Sequence, residues 1–194
     1  GMMFSILRRI PQADSNMKNS IWKKETGNLL FGKTIGIIGL GRIGKLVAEL
    51  LRGLGNPVIG YDLYPDKIWA DKHQIKIVDF KTVLSNSDII TLHIPGSDDK
   101  KPIICADELK LCKTSSVIIN ITRGGVIDEN ALYEALKNGN IKGAAIDVFN
   151  EEPYKGPFCD LDNVVLTPHI GSYALEGKLQ MEIDAVENLI NALK

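Results

Sequence analysis

Cysteine is scarce in this 194-residue chain, which has three: Cys105, Cys112 and Cys159. Their number is odd and their spacing fits no metal motif, so neither a disulfide framework nor a metal site is implied. They read as free thiols of a protein in the reducing cytosol. Long hydrophobic runs are also missing. None approaches the ~20 apolar residues of a membrane-spanning helix. The apolar run from Met2 to Leu7 is too short for a signal-peptide core, and Arg8 and Arg9 lie on its wrong side. Neither sign of charge dominates: 23 Lys and Arg face 24 Asp and Glu, a net charge of −1. That balance removes the electrostatic case for binding nucleic acid or an anionic membrane. There are no repeats and no low-complexity segments. What remains is a chain of ordinary globular composition and of a size for about one domain.

The most informative stretch runs from Lys33 to Gly44. The apolar run Ile35 to Ile38 ends abruptly in Gly39-Leu40-Gly41-Arg42-Ile43-Gly44, and an amphipathic stretch follows from Lys45 to Leu54. This is the pattern of a buried strand, a tight turn and a helix. Gly39 allows the turn, Gly41 lets a pyrophosphate reach the backbone, and Gly44 lets helix and strand pack closely. The helix N-terminus then offers N–H groups and a positive dipole end to phosphates. A second apolar run, Pro57 to Tyr61, ends in Asp62, 18 residues after Gly44. That is close to the spacing of an acid that holds a ribose. The alternative, a glycine-rich turn with no ligand, leaves the strand, the helix and the acid as coincidences.

Further strands are expected at 75–78, 88–93, 116–121, 143–148 and 164–166. Helices are expected between them, including Phe80–Ser85 capped by Asp79 and Glu129–Asn138 capped by Asp128. A long closing helix, Ser172–Leu193, carries Leu175, Leu179, Ile183, Val186 and Ile190 near helical spacing. Phe4 to Ile10 looks like a helix end cut off at Pro11. Residues 4–31 form an arm whose Trp22 must pack on this domain or on a second subunit. Strands alternate with helices and are continuously apolar, which predicts an α/β fold. Its doubly wound parallel sheet of about seven strands is covered on both faces as a three-layer α/β/α Rossmann domain.

Such a sheet binds ligands outside the carboxyl ends of its strands. The residues at those ends are the glycine loop, Asp62, His93-Ile94-Pro95, Asn120 to Gly125 with Arg123, Asp147 to Pro153 with Glu152, and Thr167 to Ser172 with His169. Taken singly, Arg123 reads as a surface ion-pair partner, Glu152 as a solvated acid and His169 as a structural histidine. Together on one edge they are the parts of a hydride-transfer site. A cation orients an anionic substrate, an imidazole carries the proton, and a carboxylate holds the imidazolium. His93 competes for the proton role but has no obvious carboxylate partner.

The segments GKTIGIIGLGRIG, Tyr61-Asp62, His93-Ile94-Pro95, NITRGGVIDENAL at 120–132, GAAIDVFNEEP at 143–153 and TPHIG at 167–171 resemble, in order, the D-isomer-specific 2-hydroxyacid dehydrogenases. Within that family they are most similar to the phosphoglycerate dehydrogenase-like branch. The resemblance implies that Arg123 binds the substrate carboxylate, that His169 is the acid/base and that Glu152 is its partner. It implies NAD as cofactor, with Asp62 on the adenosine ribose and Asp147 on the nicotinamide carboxamide. Gly39, Gly41, Arg42, Ile43, Gly44, His93, Ile94, Pro95, Ile121, Thr122 and Gly171 complete the expected cofactor set. Asp62 would repel a 2′-phosphate, and Leu63-Tyr64-Pro65 supply no Arg to neutralise one, so NAD is expected over NADP.

Ile121-Thr122 and Ala174 depart from the family pattern; the first is expected to tighten the nicotinamide pocket and the second to leave the last helix without a side-chain cap. The family also has a substrate domain that this sequence does not contain. The chain is therefore expected to be the NAD-binding domain of a cytoplasmic homodimer, either a fragment or a natural short form. Its substrate partner would be a small 2-hydroxy acid. A stand-alone NAD-binding module with little turnover is the second reading. A methyltransferase or short-chain dehydrogenase is the third, and it would leave Arg123, Glu152 and His169 unexplained.

Overall fold

The computed structural model describes residues 1–96 and 101–193. Seven strands form one parallel sheet in the order β3-β2-β1-β4-β5-β6-β7. They are β1 (Ile35–Ile38), β2 (Val58–Tyr61), β3 (Lys76–Ile77), β4 (Ile89–Leu92), β5 (Val117–Asn120), β6 (Gly143–Ile146) and β7 (Val164–Leu166). The order reverses between β1 and β4, which is where a doubly wound sheet opens a crevice for a ligand.

Side chains alternate between two cores, one on each face. Along β5, Ile118 packs into one and Val117 and Ile119 into the other; along β6, Ala144 and Ile146 oppose Ala145. β1, β4, β5 and β6 are buried throughout, which is why their sequences read as near-continuous apolar runs, interrupted only by Thr91 in β4 and by Asn120 at the end of β5. On one side lie α1 (Met2–Arg8), α3 (Arg42–Gly53) and α4 (Lys67–Lys72). On the other lie α5 (Phe80–Asn86), α6 (Ala106–Leu111), α7 (Glu129–Lys137) and a 3-10 turn, Pro157–Asp160. Asp79 and Asp128 cap α5 and α7 by accepting N–H groups of their first turns.

The sequence expectation needs correction at both ends. Pro11 does not stop the first helix. Arg9 does, in a left-handed conformation (φ 52°), and Pro11 sits in the first turn of a second helix, α2 (Ile10–Lys18). A proline is favourable there, because that N–H has no helical partner to lose. At the other end α8 (Leu175–Ala192) forms, with Ala174 at its N-cap giving no side-chain bond, but it does not close the domain. None of its residues is buried, and Leu175, Leu179 and Val186 stand exposed. Both faces of the sheet are already covered by the helices that precede α8, so its apolar stripe has no surface left to meet.

Candidate active site at the carboxyl edge of the sheet

The strand register sets the level of the site. Ile38 pairs with Tyr61 and Leu92, Leu92 with Asn120, Asn120 with Ile146, and Ile146 with Leu166. Six strands therefore end in one row. The next residues along it are Gly39, Asp62, His93, Ile121, Asp147 and Thr167, so the residues expected to act together emerge side by side.

The glycine loop packs tightly and leaves the start of α3 open. Gly39 has φ +95° and lies against the His93 carbonyl, and a Cβ on Gly44 would stand 1.9 Å from the Gly39 oxygen. Gly41, the N-cap of α3, has open space where a Cβ would be, and no side chain caps the helix. Asp62 is fixed by the Leu40 N–H on Oδ2 (2.7 Å) and the Tyr64 N–H on Oδ1 (2.8 Å). Each oxygen keeps a lone pair for one of two ribose hydroxyls.

A cleft of about 1500 Å³ runs from this loop along the sheet edge. Gly41, Arg42 and Ile43 line one end, His93-Ile94-Pro95 and Ile121-Thr122 the middle, and Arg123 the far side. Asp62, Asp147, Glu152, His169 and Gly171 do not line it. They flank it on the same edge.

Asn120, buried at the end of β5, builds the turn that presents Arg123. Its Oδ1 accepts from the Thr122 N–H (3.2 Å) and hydroxyl (2.9 Å), and its Nδ2 donates to the Arg123 carbonyl (3.2 Å). The exposed Arg123 guanidinium donates to the Thr122 carbonyl (2.7 Å), and among the described residues no carboxylate pairs with it. Its charge is left for an anion from outside.

His169 Nδ1 lies 2.9 Å from Glu152 Oε2, across the mouth of the site. The other oxygen of Glu152 accepts the Phe149 N–H (3.1 Å). Hydrogen bonding from His169, and then from Phe149, holds the Glu152 carboxyl below its usual range. Asp147 shapes the turn that carries His169, whose backbone is left-handed (φ 55°). Its Oδ1 accepts from the Thr167 hydroxyl and the Ile170 N–H, and its Oδ2 accepts from the Gly171 N–H (2.9 Å). One lone pair on Oδ2 remains for a ligand such as a carboxamide. His93 is different in kind. Burial presses its imidazole down to about 4, and its Nε2 sits 3.1 Å from the Thr91 hydroxyl. It is neutral at physiological pH and unsuited to carrying the proton.

Sequence reasoning placed Asn120 at the strand end without giving it a role, and it passed over Glu129. The reading that nothing in the chain resembles the Tyr-x-x-x-Lys pair of a short-chain dehydrogenase needs correction, because Tyr133 and Lys137 on α7 have that spacing. The structure gives that pair another use. Lys137 lies over the Tyr133 ring, which packs against Phe158, and neither residue lines the cleft.

The family model for "D-isomer specific 2-hydroxyacid dehydrogenase, NAD binding domain" matches residues 1–171. The chain belongs to that family. It is 40% identical over 197 residues to a D-3-phosphoglycerate dehydrogenase of Archaeoglobus fulgidus, covering 100% of this chain and 37% of the relative. It is 40% identical to a glyoxylate reductase of Thermococcus litoralis, covering 97% of this chain and 60% of that enzyme. A crystal structure of a glyoxylate reductase from Paecilomyes thermophila superposes with a TM-score of 0.91 at 32% identity, covering 100% of this chain and 60% of that one. The chain thus spans between about a third and two thirds of the length of these relatives and is their NAD-binding domain. Among the described residues, no helix of this domain is long and apolar enough to cross a membrane.

Proposed function

We propose that this domain supplies the cofactor half and the proton-transfer half of an NAD-dependent oxidoreductase that interconverts a D-2-hydroxy acid and a 2-oxo acid. The observation that carries the reading is the hydrogen-bonded pair of His169 and Glu152, 2.9 Å apart, on the same edge as an Arg123 that, among the described residues, no carboxylate neutralises. The residues fit NAD: the open space at Gly41 and the uncapped α3 would hold the pyrophosphate, and Asp62 the ribose. When bound there, NAD would supply the hydride acceptor for the substrate's C2 in oxidation and, in its reduced form, the hydride donor in reduction. The protein's own residues do the rest. Arg123 pairs with the substrate carboxylate, a planar anion suited to a guanidinium fork. His169 takes the C2 hydroxyl proton in oxidation and returns it in reduction. Glu152 stabilises the imidazolium so formed and fixes the ring through Nδ1, leaving Nε2 for the substrate.

Residue replacement tests the assignment in a form of the enzyme that also contains a substrate-binding domain. His169→Ala should cut turnover roughly a hundred- to ten-thousandfold while calorimetric NAD affinity stays unchanged. Near-normal turnover would overturn the acid/base role.

The working unit is proposed to be a cytosolic homodimer, with the three cysteines kept as thiols. Trp22, Leu29 and Phe31 on the arm, Leu50 on α3 and Leu54 at its C-cap are all more than half exposed. An apolar surface of that kind supports pairing with a second copy. Stand-alone cofactor binding has its own support: the side chains of His169 and Glu152 are 46% and 39% exposed, too wet for efficient chemistry by this polypeptide alone.

A further inference from the structure

We propose that Glu129 is a positioning residue that latches the loop carrying Glu152 onto the loop carrying Arg123, and so sets the distance between the acid/base pair and the substrate anchor. The inference rests on the dehydrogenase reading above and extends it to a residue outside the three groups named there.

The two loops come from neighbouring strands. The first leaves β5 and leads through Arg123-Gly124-Gly125 to α7; the second leaves β6 and leads through Phe149-Asn150 to Glu152. They are in direct backbone contact. A Cβ on Gly124 would stand 2.0 Å from the Phe149 carbonyl oxygen and 2.8 Å from the Asn150 nitrogen, so only the absence of a side chain lets them lie together. Glu129, at the first position of α7, reaches across this joint. Its Oε1 accepts the backbone N–H of Asn150 at 2.6 Å. Beyond the latch the bonds run in series. The Phe149 N–H donates to Glu152 Oε1 at 3.1 Å, and Glu152 Oε2 meets His169 Nδ1 at 2.9 Å. The Phe149 ring stacks on Tyr154 with centroids 4.1 Å apart, bracing the same loop from behind.

A simpler role for Glu129 is an acid that favours the N-terminus of α7. Its surroundings point further. Asp128 already caps that helix by accepting the Asn130 and Ala131 N–H groups. Burial raises the Glu129 carboxyl above its usual range, so partial desolvation is being borne where a solvent-facing acid would serve the helix equally well. The group that meets it in that half-buried place is the Asn150 N–H.

The test uses the 194-residue chain without substrate or cofactor, so it does not depend on turnover. Glu129→Gln keeps the Oε1 acceptor and the side-chain length. Glu129→Asp keeps the negative charge at the helix start but shortens the reach. Two signals are followed: hydrogen exchange of the Asn150 amide, and the NMR titration of the Glu152 carboxyl carbon. In Glu129→Asp the Asn150 amide should exchange at least about tenfold faster. The Glu152 carboxyl should titrate higher, toward the ordinary carboxylate range, as its bonds from His169 and Phe149 loosen. In Glu129→Gln both signals should stay at wild-type values. Wild-type behaviour of Glu129→Asp would overturn the latch and leave Glu129 a helix-terminus acid. Loss of both signals in Glu129→Gln would also overturn it, since charge rather than the bond to Asn150 would then be responsible. Either result leaves the dehydrogenase assignment standing, because that assignment fails only on turnover.

Discussion

Three histidines in one chain show how placement decides chemistry. His169 stands at the mouth of the site with a carboxylate on Nδ1. His73 stacks on Trp69 on the outer surface, with Glu49 as its neighbour. His93 is half-buried beside the glycine loop, and desolvation lowers it from 6.5 to about 4. The last has a consequence for stability. Above pH 6.5 the ring is neutral folded and unfolded and contributes no pH dependence. As pH falls from 6.5 toward 4, the unfolded chain takes up a proton that the folded chain refuses. Stability therefore falls with pH across that window, by up to about 3 kcal/mol. Urea unfolding measured at pH 7 and pH 4.5 should show a smaller loss in His93→Gln than in the native chain. Equal losses would mean that His93 is hydrated in the fold. The sequence offered His93 as a competitor for the proton role and could not weigh its desolvation, because burial is a property of the assembled edge. Glu129 was hidden for the same reason: its partner lies 21 residues away.

At the scale of elements, the sheet was readable and the surfaces were not. A strand buried on both faces is apolar at nearly every position, so 35–38, 89–92 and 117–119 announce themselves despite Thr91. Helical periodicity is weaker information. It shows that α8 has an apolar stripe but not what covers it, and the expectation that α8 seals the domain failed on that point. The same limit applies to α3, where the inner residues Ala48 and Leu51 meet the sheet, Leu46 lines the cleft, and Leu50 and the C-cap Leu54 stand exposed. Spaced four residues apart, Leu50 and Leu54 form a ridge, which the proposed dimer would cover together with the arm. Burying a leucine contributes about 2 kcal/mol, so a charge placed in the ridge should be decisive. Light scattering at micromolar concentration should show the native chain as a dimer and Leu50→Glu as a monomer with an unchanged circular dichroism spectrum. A native chain that is only monomeric would remove the argument from the arm and the ridge alike.

The whole molecule gathers its candidate site residues on one edge. The proposed phosphate cradle, ribose acid, acid/base pair and cation all belong to this one domain, and bonds within it hold Asp62, Glu152 and Arg123 in place. Cofactor affinity should therefore be present in the 194-residue chain. Turnover makes a further demand. A hydride moves efficiently only where water is excluded and charges are not screened. Here Arg123 is exposed, and nearly half of the His169 side chain is open to solvent. A hydroxy acid docking on this edge alone would meet Arg123 and His169 on one side and water on the other. The expected outcome is a chain that binds NAD in calorimetry yet gives no measurable NADH from D-lactate, D-glycerate or D-3-phosphoglycerate. Adding a substrate-binding domain should raise the rate by orders of magnitude with little change in NAD affinity, since that domain contributes enclosure rather than cradle. Rapid NADH production by the 194-residue chain would show that this edge is already enclosed enough for chemistry, and the separation of binding from turnover would have to be abandoned.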